Sequence, residues 1–170
     1  DWDYDPSRPA ELQDGGVGEW WSRMQGVVPE LKGAGLVYAP SSKSQIVRLD
    51  TGEPAFGETS YHVYVMTEDR DRVEDVGKII DARMWLAGMG YTKPGSRHMR
   101  RTPFDACTFS VSRRVFESRP VVGDGLVLGK RISTILPPFG KAVFDLGAVG
   151  DLTDDQVAEY KAMTARVISR

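Results

Sequence analysis

Residues 61–90 read YHVYVMTEDRDRVEDVGKIIDARMWLAGMG, and this stretch decides the fold class. Tyr61 to Met66 is rich in aromatic and β-branched residues and holds no breaker, the composition of a pleated strand. The period then changes. Between Asp69 and Ala87, Val73, Val76, Ile80, Met84 and Ala87 recur on one face of a 3.6-residue helix. Gly88 and Gly90 stop that helix.

Working outward, Leu36-Val37-Tyr38 reads as a short strand ending at Pro40, and Ile46–Leu49 as a second with Asp50-Thr51-Gly52 as its turn. Ser41-Ser42-Lys43-Ser44 between them is a polar loop. Upstream, Trp20, Met24 and Val28 recur at helical spacing, with Trp21 beside them, which predicts a helix from about Glu11 to Val28 closed by Pro29. Downstream, alternation between Arg97 and Phe116 predicts two or more strands. Residues 120–150, rich in Gly and Pro, predict a loop with short strands, one near Ala142–Phe144. A final helix opens on a capping box, Thr153 with Gln156, and continues its face through Val157, Tyr160, Thr164 and Val167. The order argues for an α+β fold with a mostly antiparallel sheet. It divides into a core over residues 1–150 and a C-terminal helix over 151–170 that docks on it.

Composition narrows the function classes. The 170 residues carry 24 acids and 22 bases, a net charge of -2, which excludes a uniformly basic nucleic-acid wrapper but not a local basic groove. The single cysteine, Cys107, excludes an internal disulfide framework and a cysteine-based zinc cluster and suits a reducing, cytoplasmic compartment. No apolar run reaches the roughly 20 residues of a membrane span, so no membrane partner is expected. The chain starts at Asp1 without Met, which predicts a fragment of a longer protein. Charge is segregated: residues 1–19 hold six acids and one base, Arg8, whereas residues 93–119 hold seven bases against Asp105 and Glu117. The two regions read either as two walls of one site or as unrelated solvated surfaces.

Four groups of residues can do chemistry. In Asp1-Trp2-Asp3-Tyr4-Asp5-Pro6, carboxylates at i and i+2 of an extended chain converge on one side and resist joint ionisation unless a cation lies between them. Mg²⁺ or Mn²⁺ fits such oxygen ligands; the plain alternative is an acidic terminus. His62, with Ser60, sits in the best strand and can donate to a phosphate or simply complete a packed sheet. Asp105, flanked by apolar residues, is costly unless paired; it reads as a third metal ligand or as the partner of Arg101 or Arg114. Arg97, Arg100, Arg101, Arg113 and Arg114, and Lys43 in its serine loop with Ser42 and Ser44, suit phosphates or a solvated face. Cys107 reads as a structural thiol, and the four tryptophans as core.

Taken in order, Asp3-Tyr4-Asp5-Pro6, Ser60-Tyr61-His62 and Phe104-Asp105 resemble the three motifs of the archaeo-eukaryotic primase superfamily: hydrophobic-DxD/E, small-x-His and hydrophobic-Asp. Arg83-Met84-Trp85-Leu86-Ala87-Gly88-Met89-Gly90-Tyr91 is similar to the "WLAGLGW" text of primase–polymerase domains in phage and plasmid replication proteins. Arg101-Thr102-Pro103-Phe104-Asp105 resembles that branch's "ERTIVD", and Arg113-Arg114-Val115-Phe116-Glu117 its "ERLVFE". The resemblance covers about residues 1–122. It departs from the branch at Arg100-Arg101, where Glu-Arg is usual, and in the lack of supporting residues before Asp1.

The resemblance implies an RRM-like catalytic core that extends DNA on a template and primer from nucleoside triphosphates. Asp3, Asp5 and Asp105 would be the metal-binding catalytic carboxylates, with Asp1/Asp3 the other way to place the first pair. Ser60, His62, Arg114, Lys43, Ser42 and Ser44 would bind the nucleotide, and Arg97, Arg100, Arg101 and Arg113 the DNA. A helicase, in the same or a partner chain, would accompany it in a bacterial host cytoplasm. Two other readings stand beside it: a non-catalytic single-stranded nucleic-acid-binding module on the same sheet, and a DxD glycosyltransferase, which would leave Ser60 and His62 without a role.

Overall fold

The computed structural model describes residues 8–13, 15–41, 44–55, 60–93, 100–110, 120–130, 133–136 and 143–168, leaving aside the side chains of 106, 107, 134–136 and 166–168. A first helix, α1, spans Val17–Val27. It starts later than its apolar spacing predicts because Gly16 adopts a positive φ of 152° and breaks the chain; Ala10–Leu12 is a separate 3-10 turn. The Glu19 side chain reaches back to accept the Gly15 amide at 2.7 Å, one residue before the N-cap Gly16, and so ties the entering chain to the first turn.

The strands β1 (Leu36–Pro40), β2 (Ile46–Arg48) and β3 (Tyr61–Val65) form where the sequence places them. Helix α2 (Val73–Leu86) begins four residues later than predicted. Asp69 accepts from the Asp71 amide at 3.0 Å, so this Asx-type turn holds the entry out of helical conformation. Beyond it lie β4 (Tyr91–Thr92), β5 (Arg100–Arg101), β6 (Leu126–Leu128), β7 (Thr134–Leu136) and helix α3 (Asp154–Ile168). The capping box of α3 forms as read: Thr153 N donates to Gln156 Oε1 at 2.9 Å and Gln156 N to Thr153 Oγ1 at 3.2 Å.

The class is α+β, with three helices and small antiparallel sheets among the described residues. The strands pair as β3-β1-β7, β2-β6 and β4-β5. β1 is central in the first, with Leu36 opposite both Val65 and Leu136. Of the strand expected near Ala142–Phe144, Ala142 lies outside the described residues and Phe144 makes an isolated parallel bridge with Thr67; the second neighbour of β1 is β7, which the Gly/Pro-rich composition of its surroundings concealed. Of the strands predicted between Arg97 and Phe116, the described residues hold β5 and then a 3-10 turn over Ala106–Phe109; residues 97–99 and 111–116 lie outside them.

The core lies between the sheet and the helices. Trp20, Met24 and Val28 from α1 and its end meet Val76, Ile80 and Met84 of α2, together with Phe104, Phe144 and Leu146, while Val63 and Val65 close it from the sheet. Gly77 is required by close packing: a Cβ there would lie 2.5 Å from the Cβ of Phe109. On its other side α2 packs against α3.

Candidate functional site

The loop after β1 and the strand entry at β3 meet at one point. Ser41 N donates to the Ser60 carbonyl at 2.8 Å, extending the β1–β3 ladder past Pro40 and Tyr61. Ser44, only 3% exposed, donates its hydroxyl to the same carbonyl at 2.6 Å and accepts from the Ser60 amide at 2.9 Å. Its oxygen also lies 3.1 Å from Ser41 Oγ. The Ser44 hydroxyl thus behaves as an additional rung of the sheet, which fixes the position of Ser60 and hence of His62 two residues on. Ser44 positions this corner rather than presenting a free hydroxyl.

Alternation along β3 then sorts its side chains. Val63 and Val65 face the core; His62 and Tyr64 share the opposite face with Ala39 and Val37, their register partners on β1. The His62 and Tyr64 rings lie 6.5 Å apart and tilted by 50°. Tyr64 is 41% exposed and Met66, just beyond the strand, 66%. Large apolar groups left open beside a histidine form a platform suited to a flat or partly apolar ligand.

Asp105 stands on a rigid mount. Thr102, Pro103 and Phe104 before it are buried. Thr102 Oγ1 donates to the Phe104 carbonyl at 2.9 Å, and the Trp20 indole donates to the Pro103 carbonyl at 2.7 Å. Phe104 stacks edge-on against Phe109 with centroids 5.2 Å apart. The Asp105 carbonyl accepts from both the amide and the hydroxyl of Thr108, at 3.1 and 2.7 Å, and so opens the 106–109 turn. Asp105 as a whole is half-buried.

Of the arginines, Arg100 and Arg101 occupy β5, opposite Thr92 and Tyr91. Arg100 borders a polar cleft between α2, β5 and α3, lined also by Glu74, Lys78, Asp81, Ser110 and Tyr160. At its floor Asp81 accepts from Tyr160 OH at 3.0 Å and from Thr102 Oγ1 at 3.4 Å. Burial raises the Asp81 carboxyl above its ordinary range, against the opposing pull of the Tyr160 hydrogen bond, the Arg100 charge and Thr102. The Tyr160 phenol is raised as well, by burial first and then by the Asp81 charge. Sequence reasoning missed this pair. Its signal was an acid at position 81 between Ile80 and Ala82, beside the apolar stripe of α2, with a tyrosine on the inner face of the last helix.

Asp3, Asp5, Ser42, Lys43, Arg97, Arg113 and Arg114 lie outside the described residues, as do Asp1 and the Cys107 side chain. Among the described residues no three His, Cys, Asp or Glu side chains gather as a metal-binding group, and no helix is long and apolar enough to cross a membrane. What the geometry does assemble is the serine loop with Ser60 and His62 at one sheet corner, and Asp105 on a braced turn. Comparison of the chain with protein-family models, curated proteins and solved structures gave no match.

Proposed function

We propose that this chain is a primase–polymerase core of the archaeo-eukaryotic primase type, RRM-like in its catalytic sheet, from a phage or plasmid replication protein. It transfers nucleotides to a DNA primer on a DNA template. The observation that carries the reading is the corner where Ser41 and Ser44 clasp Ser60. It joins two sequence elements, the serine loop and the small-x-His strand, that the resemblance assigns to one nucleotide.

In the proposed reaction the primer 3′-oxygen loses its proton and bonds to the α-phosphorus of the incoming nucleotide, and the bond from that phosphorus to pyrophosphate breaks. Asp3, Asp5 and Asp105 supply carboxylate oxygens, a donor set that fits Mg²⁺ or Mn²⁺. Such ions stabilise charge on the attacking and leaving oxygens. His62 and the Ser60 corner hold the triphosphate, with Arg114 and Lys43 adding positive charge. The braced 102–104 segment keeps Asp105 from drifting, as a group acting at a reacting centre requires.

The test is primer extension with Mn²⁺ or Mg²⁺ alongside nucleotide titration. Asp105→Ala is expected to lose incorporation while keeping its circular dichroism and unfolding midpoint. His62→Ala is expected to weaken nucleotide binding more than DNA binding. Near-normal synthesis by Asp105→Ala overturns the assignment.

The open His62–Tyr64–Met66 face favours one second reading, a non-catalytic module that stacks single-stranded nucleic acid. That module binds without metal, in a salt-sensitive manner, and has no affinity for nucleoside triphosphates.

A further inference from the structure

Glu74, Lys78 and Asp81 stand at i, i+4 and i+7 of α2, so one face of that helix carries three charged groups. They border the polar cleft between α2, β5 and α3, together with Arg100, Tyr160 and Phe109. Its volume, about 490 Å³, falls within the roughly 300–1,000 Å³ of small-molecule sites. The proposed nucleotide site does not draw on Glu74, Lys78, Asp81 or Tyr160.

One hydroxyl of the protein itself shows what this cleft recognises. Tyr160 OH donates to Asp81 Oδ2 at 3.0 Å. Burial, first, and then Asp81 raise the phenol, and the Arg100 guanidinium opposes them through its charge and a hydrogen bond. A hydroxyl thus stands between a guanidinium and a carboxylate, accepting from the first and donating to the second. Neither neighbour is exhausted by it. A guanidinium has five N–H donors. The other Asp81 oxygen, Oδ1, has among the described residues only Thr102 Oγ1 at 3.4 Å, and the single proton of that hydroxyl has a nearer acceptor, the Phe104 carbonyl at 2.9 Å. A carboxylate oxygen short of a donor in a partly buried place is costly. Asp81 lines the cleft and is partly exposed, so a donor can reach it from there.

We infer that this cleft is a binding site for a neutral polyhydroxylated ring, a monosaccharide or cyclitol, whose hydroxyls bridge Arg100 and Asp81 as the Tyr160 hydroxyl does. Adjacent hydroxyls suit it because each both accepts and donates. Ions suit it less. A cation drawn to Asp81 and Glu74 meets Arg100 and Lys78, and a phosphate or carboxylate drawn to the bases meets the two acids. Lys78 is already paired with Asp75 at 2.9 Å, and the charges of Arg100 and Asp81 act on each other, which leaves little over for a zwitterion. Phe109 supplies an apolar wall for the C–H face of a ring. The inference does not rest on the nucleotide reading, and its failure would leave that reading standing.

The probes are glucose, myo-inositol, alanine and inorganic phosphate, titrated into the whole 170-residue chain by calorimetry. Glucose or myo-inositol is expected to bind in the millimolar range, and alanine and phosphate not measurably at the same concentrations. Asp81→Asn and Arg100→Met each remove one end of the bridge. Each should weaken the polyol about tenfold or more, the worth of a hydrogen bond to a charged group. Circular dichroism checks that the variants fold; if Asp81→Asn does not, Arg100→Met, at an exposed position on β5, decides. Failure of wild type to bind either polyol at tens of millimolar overturns the inference. So does alanine or phosphate binding as tightly as the polyol, or a polyol affinity that survives either substitution in a folded variant.

Discussion

The stretch from Arg83 to Tyr91 and the corner at Ser60 are both regions where the sequence resembles primase–polymerases, yet the structure uses them in opposite ways. In the first, each distinctive residue is accounted for by packing. Arg83 donates to both Glu30 carboxylate oxygens at 2.9 and 3.0 Å and to the Gly150 carbonyl at 3.0 Å. Met84 is fully buried, Gly88 takes a φ of 75°, and a Cβ on Gly90 would run into the Trp85 indole. At the corner, hydrogen bonds hold the backbone while Tyr64 and Met66 remain exposed, a state that packing alone disfavours. Residues that packing accounts for therefore say nothing of a ligand, whereas the open groups beside the corner leave room for one.

The sharpest way to break this contrast is Met84→Ala. It should cost about 2–5 kcal/mol, as large-to-small changes at closed core sites do, read as a fall in the urea midpoint, with nucleotide affinity of the folded protein unchanged. Loss of affinity without loss of stability would place Met84 in the wrong region. Next is Ser44→Ala, which removes the hydroxyl that bonds both the amide and the carbonyl of Ser60. A loss of roughly 1–3 kcal/mol is expected, together with weaker nucleotide binding, because this residue links the sheet to the corner. An unchanged midpoint would show that the clasp does not hold the strand entry.

What could be read in advance follows the range of the interaction. The helical stripe of α2, strand β3 and the capping box of α3 are set by neighbours within a few residues, and they form nearly where the spacing puts them. The late starts of α1 and α2 come from local competitors, the Gly15-Gly16 break and the Asp69 turn, that apolar periodicity does not register. β7 and the Asp81–Tyr160 pair depend on partners far along the chain, so their own segments do not specify the pairing; an acid between Ile80 and Ala82 is at most a hint. At the candidate site, the strand that carries His62 was legible from its aromatic and β-branched composition. That Ser44 would be consumed as a rung of the sheet was not, since a serine loop looks the same whether its hydroxyls face ligand or backbone.

Two smaller effects sharpen the contrast. Glu30→Gln weakens the half-buried pair with Arg83 and should cost about 1–2 kcal/mol, between the exposed and buried cases; it should leave the proposed nucleotide binding alone. His62→Ala should change stability by less than about 1 kcal/mol, as substitutions outside the core do, while nucleotide affinity falls about tenfold. A large stability loss here would move His62 into the packing class.

The smallest effect concerns Asp81. Its carboxyl is raised in the fold above the unfolded value of 3.8, so the folded state favours the protonated form. The associated stability is fully present below 3.8 and is lost as pH rises through the folded value. Asp81→Asn should flatten that part of the stability–pH curve, which urea midpoints taken from pH 3 to 6 would show. A profile that keeps its slope would mean another acid sets it.

The central place of β1 has a consequence for how the chain is made. One edge of β1 is covered by β3, which follows soon after it, but the other waits for β7 near the far end of the chain. Until residues 134–136 leave the ribosome, the Leu36–Tyr38 edge offers unpaired amides and carbonyls to any passing strand, the usual template for aggregation. Truncations that stop before Thr134 should therefore accumulate as inclusion bodies, whereas those that remove only the last helix keep the sheet closed.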